Sequence, residues 1–245
     1  MRRSELLPAI AAVLAFMLPA GPLAAAGHNE AAPLKGSLFT DAPPAPDFSL
    51  TDQQGRPFRL SQARGKPVLL TFIYTHCADT CPFISIKISK ARTLLGREAK
   101  NSVLVAVTTD PLRDTRQVAA EYSREVGLFD SWHFLTGSPE AVAEVWKLYH
   151  IEVENGAAVQ PAEPGANQEA ASQLSAPDDE HGQGLSPGEL QLADQIARQF
   201  GGGYEVGHVA LFWFIDRRGN LRATLDTDAA PADIAYNLTA LMRER

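Results

Sequence analysis

The apolar run from Val68 to Tyr74 constrains the fold more than any other stretch of this sequence. Nearly all of its side chains are aliphatic or aromatic, and polar residues do not alternate with them. A strand that is apolar on both faces is typical of the centre of a sheet that helices cover on both sides. The run therefore predicts an α/β fold.

The remaining patterns predict further strands and helices. Apolar runs indicate the strands, while capping residues and apolar side chains at helical spacing indicate the helices. Their order predicts a mainly parallel central sheet flanked by helices, between an N-terminal hairpin and a last hairpin. We expect an N-terminal hairpin over residues 48–60 and further strands over 68–74, 103–107, 132–135, 209–215 and 221–225. We expect helices from Pro82 to about Gly96, over 138–149 and over 231–242. A further helix, which Asp114 or Thr115 caps, runs through Val126.

A segment from about Glu154 to Gly203 interrupts this order. It is rich in Ala, Gln, Pro and Gly, and it contains eight acidic residues against Arg198 alone. This excess equals the formal net charge of the whole chain, −7. Because long structureless segments are unusual inside a compact domain, we interpret it as an acidic, solvated insertion before the last hairpin. The capping-box spacing of Ser186 and Glu189 predicts one marginal helix in an otherwise flexible spacer.

The charge balance excludes one class of partner. The chain has 22 Lys and Arg residues against 29 Asp and Glu residues. A protein that binds nucleic acid through the phosphate backbone needs a basic surface. We therefore expect no nucleic acid among the partners of this protein.

The N-terminus has the pattern of an export segment. Arg2 and Arg3 precede an apolar run from Leu6 to Leu18, and small residues follow as far as Ala26. We expect a signal peptide or an N-terminal membrane anchor over residues 1–26, a linker over 27–46 and one folded domain over 47–245. Export would make the protein periplasmic, or anchored in the inner membrane and facing the periplasm, where thiols meet an oxidising environment.

Cys77 and Cys81, the two cysteines of the chain, lie between a predicted strand and a predicted helix. Free amides and the helix dipole at such a junction lower the pKa of a thiol. Four-residue spacing places both sulfurs on one side of a helical turn, where they can form a disulfide or bind one ion. Two thiolates and an imidazole suit a soft ion such as Cu(I). A redox-active pair and a bracing disulfide are the other interpretations.

Six histidines compete to be a third ligand. His208 is the best candidate, because it lies at the start of the last central strand and strand ends meet at one edge of such a sheet. Spacing alone is equally consistent with an ordinary loop histidine. His76 adjoins Cys77 but points elsewhere if the strand continues to it. We expect the other four at the surface: His28, His133, His150 and His181.

Four stretches of the sequence form a recognisable set. They are Ala45-Pro46-Asp47-Phe48-Ser49-Leu50, Thr75-His76-Cys77 with Cys81-Pro82, Thr109-Asp110-Pro111-Leu112-Arg113-Asp114-Thr115, and Gly207-His208 before Val209-Ala210-Leu211-Phe212. Together they resemble the SCO1/SenC family, also called PrrC, of thioredoxin-like copper-binding assembly factors for cytochrome c oxidase. The resemblance extends over roughly Ala45 to Tyr149 and Val206 to Met242. It implies a thioredoxin-like fold in which Cys77, Cys81 and His208 bind copper.

The resemblance also implies a function. Family members deliver copper to the binuclear copper centre of the oxidase, reduce its cysteines, or do both. The chain would then be a copper metallochaperone that assists assembly of that centre. Its partner would be the copper-site subunit of the oxidase or another periplasmic copper or thiol protein, and we expect a monomer.

Two alternatives remain open. In the first, the protein is an enzyme, a periplasmic thiol-disulfide reductase in which Cys77 attacks and Cys81 resolves. In the second, a disulfide between the same residues only braces a binding domain.

Overall fold

The computed structural model describes residues 33–155 and 182–244. These residues all belong to one compact unit, residues 31–245. The predicted export segment over residues 1–26 lies outside the described residues, as do residues 27–32 of the predicted linker and residues 156–181 of the predicted insertion.

Ten strands and five α-helices form the described part of the chain. The strands are β1 (Ser37–Leu38), β2 (Ser49–Asp52), β3 (Pro57–Arg59), β4 (Val68–Ile73), β5 (Val103–Thr108), β6 (His133–Thr136), β7 (Val153–Asn155), β8 (Val206–His208), β9 (Leu211–Ile215) and β10 (Leu221–Asp226). The helices are α1 (Thr80–Leu95), α2 (Arg116–Glu125), α3 (Pro139–Leu148), α4 (Pro187–Phe200) and α5 (Pro231–Arg243), with short 3-10 helices over Leu60–Ala63 and Gly96–Asn101.

Eight of these strands form one sheet in the order β1-β10-β9-β4-β5-β6-β2-β3. Its centre, β4, β5 and β6, is parallel. The other neighbours in the sheet are antiparallel. The α/β prediction is confirmed, but the prediction of a mainly parallel sheet was wrong outside those three strands. The reason is that the predicted hairpins do not remain separate: β2 pairs with β6 and β9 pairs with β4, so each hairpin extends the sheet with antiparallel strands.

The central strand β4 supplies side chains to both faces of the sheet. Leu69 and Ile73 pack on the side of α1, α2, α4 and α5, whereas Leu70 and Phe72 pack on the side of α3 and the N-terminal hairpin. All four side chains are fully buried. Burial on both faces explains why the sequence of this strand is apolar without alternation.

The described end of the insertion is folded and packs against the core. Ser186 and Glu189 form the predicted capping box at the start of α4. Ala193 and Ile196 are fully buried, and Phe200 meets the Tyr122 ring edge-on with a centroid distance of 5.3 Å. The predicted helix is therefore confirmed, but the expectation that it would be marginal was wrong, because α4 packs into the core. Its apolar face complements α1 and α2, and that complementarity does not show in the acidic composition of the segment as a whole.

His208 lies in a small separate sheet rather than at the start of a central strand. The sequence predicted one strand from Val209 to Ile215, but β9 begins only at Leu211. Before it, β8 pairs with β7, and Val153 lies opposite His208. The two-stranded sheet therefore joins the two ends of the insertion.

Part of the predicted linker is also structured. Ser37 and Leu38 pair with β10, and Pro44 bridges to Asn220. Within residues 33–155 and 182–244, no helix combines the length and the hydropathy that a membrane crossing requires.

Candidate metal centre

Two cysteines lie side by side where β4 leads into α1. Cys77 lies in the turn after the strand, and Cys81 lies in the first turn of the helix, because α1 begins at Thr80 and not at the predicted Pro82. Both are free thiols, with 7% of Cys77 and 1% of Cys81 exposed. Their side chains hydrogen bond to each other. The structure thus brings together the two residues that the sequence predicts as a redox-active pair and as metal ligands.

The two thiols differ in acidity. The hydrogen bond from the Cys81 thiol, with those from the Cys81 and Asp79 amides and the Tyr74 hydroxyl, lowers the pKa of Cys77 to about 7 despite burial. Burial, together with the neighbouring Cys77 sulfur, raises the pKa of Cys81 well above its ordinary value. Because the thiolate is the nucleophile and the metal ligand, Cys77 is the reactive member of the pair. The junction was expected to lower both pKa values, which was wrong for Cys81 because burial dominates there.

Tyr74 connects Cys77 to the strand that carries His208. Its hydroxyl hydrogen bonds to Cys77 and accepts the Val206 N–H at 3.2 Å. Its ring meets the His208 imidazole edge-on with centroids 5.8 Å apart. The apolar pattern of residues 68–74 predicts Tyr74 as the end of a buried strand and gives it no role at the site. The signal that could have identified it is its hydroxyl, since a tyrosine hydroxyl in a buried strand usually has a hydrogen-bond partner.

The His208 imidazole contacts two backbone carbonyl groups. Its Nε2 lies 3.0 Å from the Phe72 oxygen, and its Nδ1 lies 3.3 Å from the Val206 oxygen. Burial lowers the pKa of His208, although both carbonyls oppose this. The ring is therefore neutral at pH 7 and carries one N–H. Either nitrogen can carry this proton, and the other nitrogen then has the lone pair that a metal ligand needs.

The predicted set of three ligands is not assembled around one point. In the part of the chain that the structure describes, no three His, Cys, Asp or Glu side chains are arranged to hold a metal ion. The structure unites Cys77 with Cys81 and brings Tyr74 against both Cys77 and His208. Ligation by the imidazole therefore stays a prediction.

The other histidines are further from a ligand role. His76 points its Nδ1 at the Thr75 hydroxyl, 2.9 Å away, and towards the Asp114 carboxylate at 3.7 Å. His133 was expected at the surface but is half-buried, with Nδ1 3.0 Å from Asp52. His150 is exposed, as predicted. The two remaining histidines, His28 and His181, lie outside the described residues.

A buried carboxylate supports the turn that presents Cys77. Asp114 accepts hydrogen bonds from the Thr75 amide at 3.2 Å, the Thr75 hydroxyl at 2.5 Å and the Thr108 hydroxyl at 2.6 Å. Its side chain is fully buried. Of the two caps that the sequence allowed for α2, Thr115 is the one that accepts a helix amide, that of Val118. Asp114 instead fixes the start of the cysteine motif.

Comparison with known proteins places this arrangement in a family. The sequence model of SCO1/SenC matches residues 40–180, which include both cysteines. The chain belongs to the SCO1/SenC family. The match includes the motif from Thr109 to Thr115, whereas His208 lies beyond its end.

One curated relative is the mitochondrial SCO1 homolog 1 of Arabidopsis thaliana, which is 34% identical over 111 residues. This match covers 44% of this chain and 33% of the relative. Across the first relatives, the chain spans a third to about half of their length.

Solved structures of the family share the fold. Bradyrhizobium japonicum ScoI with copper bound superposes with a TM-score of 0.58 at 23% identity, covering 80% of this chain and 98% of that one. BsSco, a member of the Sco family of cytochrome c oxidase assembly proteins in which a disulfide switch has been identified, has a TM-score of 0.55 at 17% identity, covering 87% and 100%. These likenesses confirm a thioredoxin-like sheet flanked by helices.

Proposed function

We propose that this protein is a copper metallochaperone that binds copper through Cys77, Cys81 and His208 and assists assembly of the copper centre of cytochrome c oxidase. The observation that carries the proposal is the buried thiol pair at the start of α1, in which hydrogen bonds lower the pKa of Cys77 to about 7. Family membership supports it, as do the copper in Bradyrhizobium japonicum ScoI and the assembly function of BsSco.

The donor atoms suit copper in its reduced state. Thiolate sulfur and neutral imidazole are soft to intermediate ligands, which favour Cu(I) over ions that seek oxygen. Cys77 supplies one thiolate near neutral pH, whereas Cys81 has to lose a proton when the metal binds. Binding would therefore release protons and weaken as the pH falls.

His208 is the third ligand in this proposal. Its ring is neutral, and the Phe72 carbonyl holds Nε2. Metal-binding histidines commonly donate their second nitrogen to such an outer partner, which fixes the ring and its tautomer. The edge contact with Tyr74 places the imidazole one side chain away from Cys77.

A second candidate function is reduction of disulfides. The unequal exposure and acidity of the two thiols favour it. The Cys77 thiolate would attack a substrate disulfide, form a mixed disulfide and expel one substrate thiolate. Cys81, once deprotonated, would attack the Cys77 sulfur, form the Cys77–Cys81 disulfide and release the second substrate thiol. The disulfide switch of BsSco is consistent with such a pair.

The cellular setting is part of the proposal. A periplasmic location, with residues 1–26 as signal peptide or anchor, rests on the export pattern of the sequence. The partner would be the copper-site subunit of the oxidase. Cell fractionation tests the location, and recovery of the protein from the cytoplasm would contradict it.

Competition with a Cu(I) chelator tests the ligand set on reduced protein. Cys77→Ser and Cys81→Ser should each weaken binding by more than about a hundredfold, beyond the range known for outer partners of metal sites. His208→Ala should weaken it by at least about tenfold. His150→Asn is the control, because His150 is exposed and has a positive φ of 53° that Asn tolerates. Native Cu(I) affinity in either cysteine variant would contradict the copper function. Native affinity in His208→Ala would contradict the assignment of His208 as the third ligand.

A further inference from the structure

The motif from Thr109 to Thr115 contains a buried ion pair that the ligand set does not use. Asp110 and Arg113 pair with each other, and only 1% of the Asp110 side chain and 17% of the Arg113 side chain are exposed. A pair so sheltered from solvent is stable only if further hydrogen bonds satisfy the remaining donors. Those hydrogen bonds lead to the chain segment just before His208.

The guanidinium group of Arg113 donates hydrogen bonds to that segment and packs on one of its rings. Nη1 donates to the Gly202 oxygen at 2.7 Å, and Nη2 donates to the Tyr204 oxygen at 2.8 Å. The guanidinium carbon lies 3.7 Å from the centroid of the Tyr204 ring, whose hydroxyl donates to Asp110 at 2.8 Å. A planar fork can meet two carbonyls, a carboxylate and a ring together, and a lysine cannot reproduce this.

The same segment contacts the turn that contains Cys77. The Gly202 amide donates to the His76 oxygen at 3.4 Å. A Cβ atom at position 201 would lie 2.9 Å from the Cβ atom of Ala78, so only glycine allows this approach. The two segments therefore touch through their backbones.

Tyr74 completes the link between them. The Arg113 guanidinium carbon lies 5.8 Å from the centroid of the Tyr74 ring. The same tyrosine accepts the Val206 amide and contacts both Cys77 and His208. Arg113 thus touches the residue that lies between the thiols and the imidazole.

We propose that Arg113 is a positioning residue that clamps the histidine arm, residues 201–208, to the cysteine arm, residues 75–81, and thereby keeps His208 within reach of the two thiols. The inference rests on the proposed function, in which His208 is the third copper ligand. In the described residues β8 pairs only with β7, so backbone pairing does not attach this arm to the main sheet. Besides the backbone hydrogen bond from Gly202 to His76, the side chains of Arg113 and Tyr74 supply that attachment.

The first test uses metal-free, reduced protein and amide hydrogen exchange. In Arg113→Met, exchange at Gly202 and Val206 should accelerate by about tenfold or more, because their hydrogen bonds then open locally. Arg113→Lys should behave alike, since it keeps the charge but loses the fork. Arg198→Met is the matched control: it breaks only the exposed ion pair with Asp194 on α4 and should leave both amides unchanged.

The second test measures Cu(I) binding by chelator competition and X-ray absorption. Arg113→Met should reduce the affinity to about that of His208→Ala, and the double variant should bind no more weakly than His208→Ala alone. The copper spectrum of Arg113→Met should lose its nitrogen contribution and keep two sulfurs. General destabilisation would not remove the nitrogen selectively.

Each result decides the matter. Unchanged exchange at Gly202 and Val206 would overturn the clamp. If His208→Ala lowers the Cu(I) affinity but Arg113→Met exchanges faster and keeps native affinity, the positioning role is overturned. Native Cu(I) affinity in His208→Ala would instead contradict the proposed function, because His208 would not be a copper ligand. The clamp would still be supported in that case if amide exchange in metal-free Arg113→Met were faster than in the wild type. If Arg113→Met does not fold, Arg113→Lys gives the same readouts.

Discussion

The cysteine arm and the histidine arm meet at one place but are built in different ways. The cysteine arm continues β4, a central strand of the main sheet, and leads into α1. The buried Asp114 carboxylate fixes its turn through backbone and hydroxyl donors. The histidine arm ends in a two-stranded sheet, and the side chains of Arg113 and Tyr74 attach it to the core.

The difference separates two properties of the site. The thiol pair lies where a central strand of the main sheet leads into α1. The imidazole depends on a segment that is fixed by a few side chains. We therefore expect substitutions of residues that support the cysteine arm to lower the stability of the whole fold. Substitutions of residues that support the histidine arm should affect mainly copper binding by His208.

The largest expected effect is that of Asp114→Ala on stability. Removing the carboxylate leaves the Thr75 amide and the Thr108 hydroxyl buried without an acceptor, which should lower the free energy of unfolding by about 3–5 kcal/mol. Chemical denaturation measures this, and Asp114→Asn, which keeps one oxygen acceptor, should lose less. A loss below about 1 kcal/mol would show that the cysteine arm does not depend on this carboxylate.

The next effect concerns α4, which precedes the histidine arm. Ile196 is fully buried against the core, so Ile196→Ala should lower the free energy of unfolding by about 2–4 kcal/mol. The control is Gln195→Ala at the neighbouring exposed position, which should change it by less than about 0.5 kcal/mol. If both variants unfold like the wild type, α4 is a spacer and the insertion is not part of the folded core.

The smallest effect is expected at Tyr74, where the two arms share one hydroxyl. Tyr74→Phe removes a hydrogen bond that lowers the pKa of Cys77, so that pKa should rise above about 7. Less thiolate would then be present at pH 7, and alkylation of Cys77 should slow by up to about tenfold. The pH dependence of alkylation measures the shift, with Tyr236→Phe as a control, because the Tyr236 hydroxyl donates to the exposed Pro33 carbonyl and is not near the thiols. An unchanged profile would mean that Tyr74 does not act on the thiolate.

The elements that local sequence patterns specify were predicted correctly. The strand over Val68–Ile73, the helices that Ser138 and Ser186 cap, and the position of the cysteines at the junction of β4 and α1 all follow from burial, capping and spacing. Each depends on residues that are close together in the chain, so one sequence is enough to reveal them.

The features that were missed depend on contacts between distant residues. The antiparallel pairing of β9 with β4 and of β8 with β7 joins segments far apart in the chain, and nothing local specifies it. The same holds for the contact of Tyr74 with Val206 and for the grip of Arg113 on Gly202. The elevated pKa of Cys81 also depends on tertiary burial, which the motif does not contain.

X-ray absorption of the Cu(I)-loaded wild type and of His208→Ala distinguishes a copper site shared by the two arms from one formed by the thiols alone. We expect two sulfur ligands and one nitrogen ligand in the wild type, and two sulfurs without nitrogen in His208→Ala. Identical spectra for the two proteins, or a wild-type spectrum with sulfur alone, would contradict the claim that the two arms together form the copper site.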